Sequence, residues 1–156
     1  MTEMEGIILC RYTLSFVINL IFHLELKECP EGQFVEKMDW KYQGSTYGLM
    51  DFKMKCSGED EWRDPAIGND NGEWDGIMDC EESGFKLVTG REEYWAGIVN
   101  VRVKCVGMET QMLSNDDMRG NWNLDLEGRN DGQQIVGVQV RKETHHGIVN
   151  FRILWA

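Results

Sequence analysis

Tyr47-Gly48-Leu49-Met50-Asp51-Phe52-Lys53-Met54-Lys55-Cys56 is written three times in this chain. It returns as Ala96-Gly97-Ile98-Val99-Asn100-Val101-Arg102-Val103-Lys104-Cys105 and again as His146-Gly147-Ile148-Val149-Asn150-Phe151-Arg152-Ile153-Leu154-Trp155. The three glycines stand 49 and 50 residues apart. So regular a period means three copies of one supersecondary unit and fixes the class of the whole fold. Within each copy the pattern has period two. Phe52, Met54 and Cys56 fall on one side, and Lys53 and Lys55 on the other. Such alternation is the mark of a strand with one buried face.

Upstream of each copy lies a second strand-like stretch. It is clearest at Ile135-Val136-Gly137-Val138-Gln139-Val140-Arg141 and present at Gly84-Phe85-Lys86-Leu87-Val88 and Gln33–Lys41. A tryptophan leads in copies two and three, in Gly72-Glu73-Trp74 and Gly120-Asn121-Trp122, and its recurrence marks it as a core residue. The corresponding place in copy one falls in the N-terminal segment. That segment either supplies a degenerate strand or leaves the figure open. Turn-rich linkers, Ser57–Glu61, Asp64–Gly72 and Ser114–Asp117, separate the units. Seventeen glycines against two prolines fit many tight turns, and no stretch reads as a long amphipathic helix. The expectation is one all-β domain spanning residues 29–156.

Residues 1–28 read differently. Leu14–Leu24 is a largely apolar run of signal-peptide length, too short to span a bilayer, with Arg11 before it and Glu25, Lys27 and Glu28 after it. Glu3 and Glu5 and the lack of a small-x-small cleavage site oppose a leader. The segment is therefore either signal-like or a degenerate first strand. The formal charge of the chain is −11. Residues 1–28 carry four acids and two bases, so the remainder stays acidic without them. An acidic surface repels nucleic acid and anionic membrane, and neither is expected as a partner.

Five cysteines are present, with Cys10 in the N-terminal segment. Cys29 opens copy one and Cys56 closes it; Cys80 and Cys105 do the same for copy two. Copy three lacks both positions together. Joint loss is what a bridge within each repeat produces, so Cys29–Cys56 and Cys80–Cys105 are the expected pairs among the three possible connectivities. Buried free thiols are the alternative. Disulfides belong to an oxidising compartment, and the chain is expected to be secreted and extracellular. No Cys-x-x-Cys exists, and His23, His145 and His146 lack ligand spacing, so no metal site is assigned. Gly68-Asn69-Asp70-Asn71-Gly72 suits calcium by composition but not by EF-hand ligand order.

The repeats resemble the vitelline membrane outer layer protein family. Cys29-Pro30-Glu31-Gly32 matches its opening, Gly84–Val88 and Gly137–Arg141 its middle strand, and Asn100–Cys105 its closing strand. The resemblance covers residues 29–156. It implies a β-prism, with three sheets packed about a pseudo-threefold axis, and a structural or carbohydrate-binding role in an extracellular coat or matrix. The family's acidic loop before the closing strand is missing here. Dermatopontin-like matrix proteins, with their Cys-Pro-x-Gly-Gln openings, are a weaker resemblance.

In place of the acidic loop stand aromatic turns. Tyr47, Tyr94, Trp95, His145 and His146 precede the three closing strands and are the expected ligand-binding residues, since aromatic faces on loops suit sugar rings. The bland reading is that they cover the end of the core. No catalytic residue and no cofactor is assigned: the chain has no nucleophile elbow, phosphate loop or dinucleotide fingerprint. The expected partner is a glycan or an extracellular coat or matrix protein. An enzyme, hydrolase or transferase, acting on amino-sugar polymers is the alternative, because carboxylates abound.

Overall fold

The computed structural model describes residues 22–44, 47–74, 76–122, 127–128, 130, 132–143 and 147–156. The strands are β1 (Phe22–Glu28), β2 (Val35–Tyr42), β3 (Leu49–Cys56), β4 (Glu73–Trp74), β5 (Met78–Asp79), β6 (Phe85–Glu93), β7 (Gly97–Cys105), β8 (Gln111–Leu113), β9 (Glu127–Gly128), β10 (Ile135–Glu143) and β11 (Ile148–Trp155). One 3-10 turn, Glu81–Ser83, is the sole helical element among the described residues. The strands form three antiparallel sheets, one per repeat, and the fold is an all-β prism.

Each sheet is built on one hairpin. The pairs β2–β3, β6–β7 and β10–β11 run antiparallel in the same register, with Trp40 opposite Phe52, Gly90 opposite Val101 and Val140 opposite Phe151. Their inward residues make the core. Phe52, Met54, Val101, Val103, Phe151 and Ile153 are all buried, as the period-two pattern requires. Trp40, wholly buried, reaches across the centre: its ring lies 4.6 Å from Phe52 and 5.1 Å from Phe151 of the third repeat.

The second side of each opening strand is closed by the lead-in of the following repeat. β4 and β5 pair with β2, and β9 and an Asn121–Glu92 bridge pair with β6. β1 does the same for β10, over all seven of its residues from Phe22 opposite Glu143 to Glu28 opposite Gly137. The N-terminal segment therefore supplies the strand that copy one lacked, and it closes the figure by joining the last sheet. Residues 22–28, which precede the expected domain start at residue 29, are thus a strand of the last sheet. Residues 1–21, with most of the Leu14–Leu24 run, lie outside the described residues.

Cys29 and Cys56 are bonded, with Cα atoms 5.7 Å apart, as are Cys80 and Cys105, at 5.4 Å. Each bridge ties the crossing between two sheets to the end of a closing strand. The third such place has no cysteines. There Gln134 and Ala156 exchange two backbone hydrogen bonds, of 2.8 and 2.9 Å, and the corresponding pairs Phe34–Ser57 and Gly84–Val106 bond at 2.7 and 3.0 Å beside the two bridges.

The lead-in tryptophans are not core. Trp74 sits on the outer face, 4.5 Å from the Lys53 ammonium and 5.4 Å from that of Lys41. Trp122 lies 4.4 Å from the Arg102 guanidinium and 5.4 Å from that of Arg91. They recur because the two outward cations of each sheet recur, and a cation over an indole face is favourable where it is partly shielded from water. Trp62 adds a second ring to Lys53, at 5.1 Å.

Candidate functional site

The glycines that lead into the three closing strands meet at one end of the prism. A Cβ on Gly48 would lie 2.6 Å from the Ile98 carbonyl oxygen, one on Gly97 2.7 Å from that of Ile148, and one on Gly147 against that of Leu49. Each glycine thus packs on the start of the next closing strand in a closed ring of three. Gly48 and Gly97 also hold φ of +68° and +78°, a region that a side chain disfavours. The triplicated glycine is explained by this close approach.

Tyr47, Tyr94 and Trp95 stand beside that ring and are exposed, at 43%, 86% and 73%. Tyr94 and Trp95 touch edge to face, with ring centroids 4.8 Å apart. The Glu93 carboxylate accepts the backbone N–H groups of Trp95 and Ala96, at 3.0 and 2.9 Å, and so fixes the turn that carries them. Two large aromatic rings presented to solvent on a tied turn are unusual, since bulky apolar groups ordinarily retreat from water. His145 and His146 lie outside the described residues.

A second polar constellation lies near the same end, between the first and second sheets. The Tyr42 hydroxyl donates to the Asp117 carboxylate at 2.8 Å, and Arg119 donates to the same carboxylate through Nε and Nη2, the shortest contact being 2.6 Å. Asp117 is nearly enclosed, with 4% of its side chain exposed. Burial pushes its carboxyl up, but the hydrogen bonds from Arg119 and Tyr42 outweigh burial and hold it below the ordinary range. Burial and the Asp117 hydrogen bond together push the Tyr42 phenol up to about 12. These groups border a cleft of about 480 Å³ lined by Tyr42 and Leu113–Asp117. No part of this cluster was anticipated from sequence. Tyr42 and Asp117 are 75 residues apart, and neither belongs to a motif.

A third feature was legible in the alignment of the repeats. Asp51, Asn100 and Asn150 occupy one column. Asp51 accepts N–H groups from Ile67, Gly68 and Asn69, folding the linker over β3. That ties up the carboxylate beside the glycine-rich loop whose composition suited calcium. Asn100 donates its amide to the Asn115 and Asp117 carbonyls and holds the next linker in the same way. Among the described residues no group of three or more His, Cys, Asp or Glu is arranged to hold a metal ion, and no helix is long and apolar enough to cross a membrane.

No family model matches the chain, and no curated protein does. Among solved structures, the crystal structure of a prostate-specific WGA16 glycoprotein lectin is similar, with a TM-score of 0.66. The identity is 12%, over 87% of this chain and 91% of that one. At this identity the likeness is one of fold. It extends over nearly all of both chains, so it takes in all three sheets together.

Proposed function

We propose that this protein binds carbohydrate outside the cell and turns nothing over, with the aromatic turns at the ring end as its site. The exposed Tyr94–Trp95 pair, held on a turn by Glu93, carries the reading. An aromatic face offers the C–H side of a sugar ring a stacking surface at little entropic cost, and the neighbouring carboxylates and amides can bond its hydroxyls. The similarity in fold to a lectin supports the reading, and the two disulfides support an oxidising compartment. The expected setting is a coat or matrix, with a glycan or a glycan-bearing matrix protein as partner. An enzyme on amino-sugar polymers draws no support from the Tyr42 cleft, because the Asp117 carboxylate is taken up by Arg119 and Tyr42.

A glycan array on the purified protein, followed by titration of the best ligand against wild type and Trp95→Ala, tests the reading. Binding several-fold weaker in Trp95→Ala, with an unchanged melting temperature, is expected from a lost stacking contact of about 1 kcal/mol. Equal affinities would move the site away from this turn.

A further inference from the structure

The linker that follows the second closing strand is pinned against it. Buried Ser114 accepts the Val101 N–H at 2.9 Å and donates to the side-chain oxygen of Asn100 at 2.9 Å. Asn115 donates its amide to the Val99 carbonyl at 2.8 Å and accepts the Asp117 N–H at 2.7 Å. Gly76, between β4 and β5 of the first sheet, packs on the Ser114 backbone so closely that a Cβ would collide. The cleft of about 480 Å³ bordered by Tyr42 and Leu113–Asp117 therefore has a fixed wall in the linker, and Tyr42 at the end of β2 forms the other.

Most polar side chains of the cleft are already paired: Tyr42 and Asp117 with each other, Ser114 and Asn115 as above. Asp116 is different. It lines the cleft, it is exposed, and its carboxylate has no partner among the described residues. Leu113, in the same cleft, keeps 44% of its surface exposed. An open acceptor asks for hydrogen-bond donors, and an apolar surface asks for C–H groups.

Two turns with exposed aromatic residues adjoin this cleft. The Val99 carbonyl that Asn115 holds belongs to the strand start on which Gly48 packs, and Tyr47 precedes that glycine. Further along the linker, Gly120 packs against the Glu92 carbonyl, and Arg91 donates to the Arg119 carbonyl at 2.8 Å. Gly120 comes three residues after Asp117, and Glu92 two before Tyr94. From the cleft to the Tyr94–Trp95 pair the path is therefore at most about 25 Å, even with the chain fully extended. Along it the carboxylates of Glu92, Glu93, Asp116 and Asp117 outnumber the cations Arg91 and Arg119, on a chain of net charge −11. Both arginines are engaged, Arg91 by a carbonyl and the Trp122 ring and Arg119 by Asp117.

We propose that the cleft is a second sugar subsite with Asp116 as its hydroxyl acceptor, and that the glycan spanning it and Trp95 is an uncharged hexose chain. The inference rests on the reading that the aromatic turns bind carbohydrate. A carboxylate only accepts, and its two oxygens suit the adjacent hydroxyls of a hexose, in hydrogen bonds strengthened by the full charge. Leu113 takes the C–H face of the same ring, while Trp95 stacks on another residue of the chain. A uronate would bring a second carboxylate toward Asp116 and is repelled.

The probes are the hexamers of glucose, galactose and mannose, each compared with the hexamer of its uronate. Wild type, Asp116→Ala and Trp95→Ala are titrated by calorimetry, with melting curves to confirm folding. At least one uncharged hexamer is expected to bind wild type, and its uronate to bind about tenfold more weakly, the effect of one close pair of like charges near a surface. Asp116→Ala weakens the uncharged hexamer about tenfold, the scale of one hydrogen bond to a charged group, and narrows the gap to the uronate. Trp95→Ala weakens both forms several-fold and leaves that gap unchanged. An Asp116→Ala variant that binds as wild type does overturns the subsite and leaves the aromatic turns standing, and so does a uronate bound as tightly as its uncharged counterpart. Binding of no hexamer overturns the inference, and an empty array beside it overturns the aromatic site as well.

Discussion

Trp40 of the first repeat packs its ring 5.1 Å from that of Phe151 in the third, in the buried centre of the prism. The three positions related by the repeat hold Trp40, Gly90 and Val140, so the bulk at the centre is unequally shared. The symmetry of the backbone is therefore not carried into the packing. One indole does the filling, and the core depends on it more than on its counterparts.

Trp40→Ala is expected to cost about 3–5 kcal/mol, the range for emptying a buried large aromatic site. Trp40→Phe should cost much less, since it keeps an aromatic ring in the core. Urea unfolding of the two variants measures both. A cost below about 1 kcal/mol for the alanine variant would mean that Trp40 is not the centre of the packing.

Each disulfide closes a loop, with sequence separations of 27 and 25 residues. Loop-closure entropy assigns each about 3 kcal/mol, which for a domain of this size corresponds to a melting shift on the order of 10 °C. Paired replacement, Cys80→Ala with Cys105→Ala, should lower the melting temperature by that order. The second crossing, left with its Gly84–Val106 backbone pairing, should then behave in hydrogen exchange like the third, which has the Gln134–Ala156 pairing and no cysteines. Unchanged melting would mean that the bridge adds nothing to the backbone pairing beside it.

The repeat, its strands and the cysteine pairs were legible because they rest on local pattern. Alternation announces Phe52, Met54 and Cys56 as inward, and joint absence from copy three announces the pairing. The strand β1 was not legible in the same way. Its outward residues Leu24 and Leu26 are apolar and exposed, while Glu25 and Lys27 stand opposite buried Val140 and Val138. Hydropathy reads that inverted face as the tail of a leader, because the partner strand lies at the far end of the chain. The tryptophans were misread for a related reason: recurrence marks a conserved environment, and here that environment is a pair of surface cations. The Asp51, Asn100 and Asn150 column was in plain sight, yet its meaning needs the linkers in three dimensions.

Gly97→Ala tests the ring of turns. The new Cβ would meet the Ile148 carbonyl oxygen at 2.7 Å, at a φ of +78°. Gly107 has nearly the same φ, +76°, with nothing within 4 Å of a Cβ. Gly107→Ala therefore isolates the cost of left-handed backbone, about 1–2 kcal/mol. Gly97→Ala should exceed it clearly, because the carbonyl is backbone and cannot swing away. Equal destabilisation of the two would show that the turns do not bear on each other.

The Tyr42–Asp117–Arg119 cluster makes stability depend on pH at both ends. Asp117 is held below its ordinary range when folded, so its contribution is present above the unfolded carboxyl value and lost as acid titrates it through the lower folded value. Tyr42 runs the other way. Its folded value, about 12, lies above the ordinary 10, so the fold favours the protonated phenol. That contribution is complete below pH 10 and drains away as the pH climbs from 10 toward 12. Melting temperature against pH should thus fall at the alkaline end, and Tyr42→Phe should make that limb shallower while lowering stability at neutral pH by one lost hydrogen bond to a carboxylate. Asp117→Asn should flatten the acid limb instead. An alkaline limb unchanged in Tyr42→Phe would place the titration elsewhere in the molecule, and would leave the Tyr42 hydroxyl with no part in joining the second strand to the linker that crosses it.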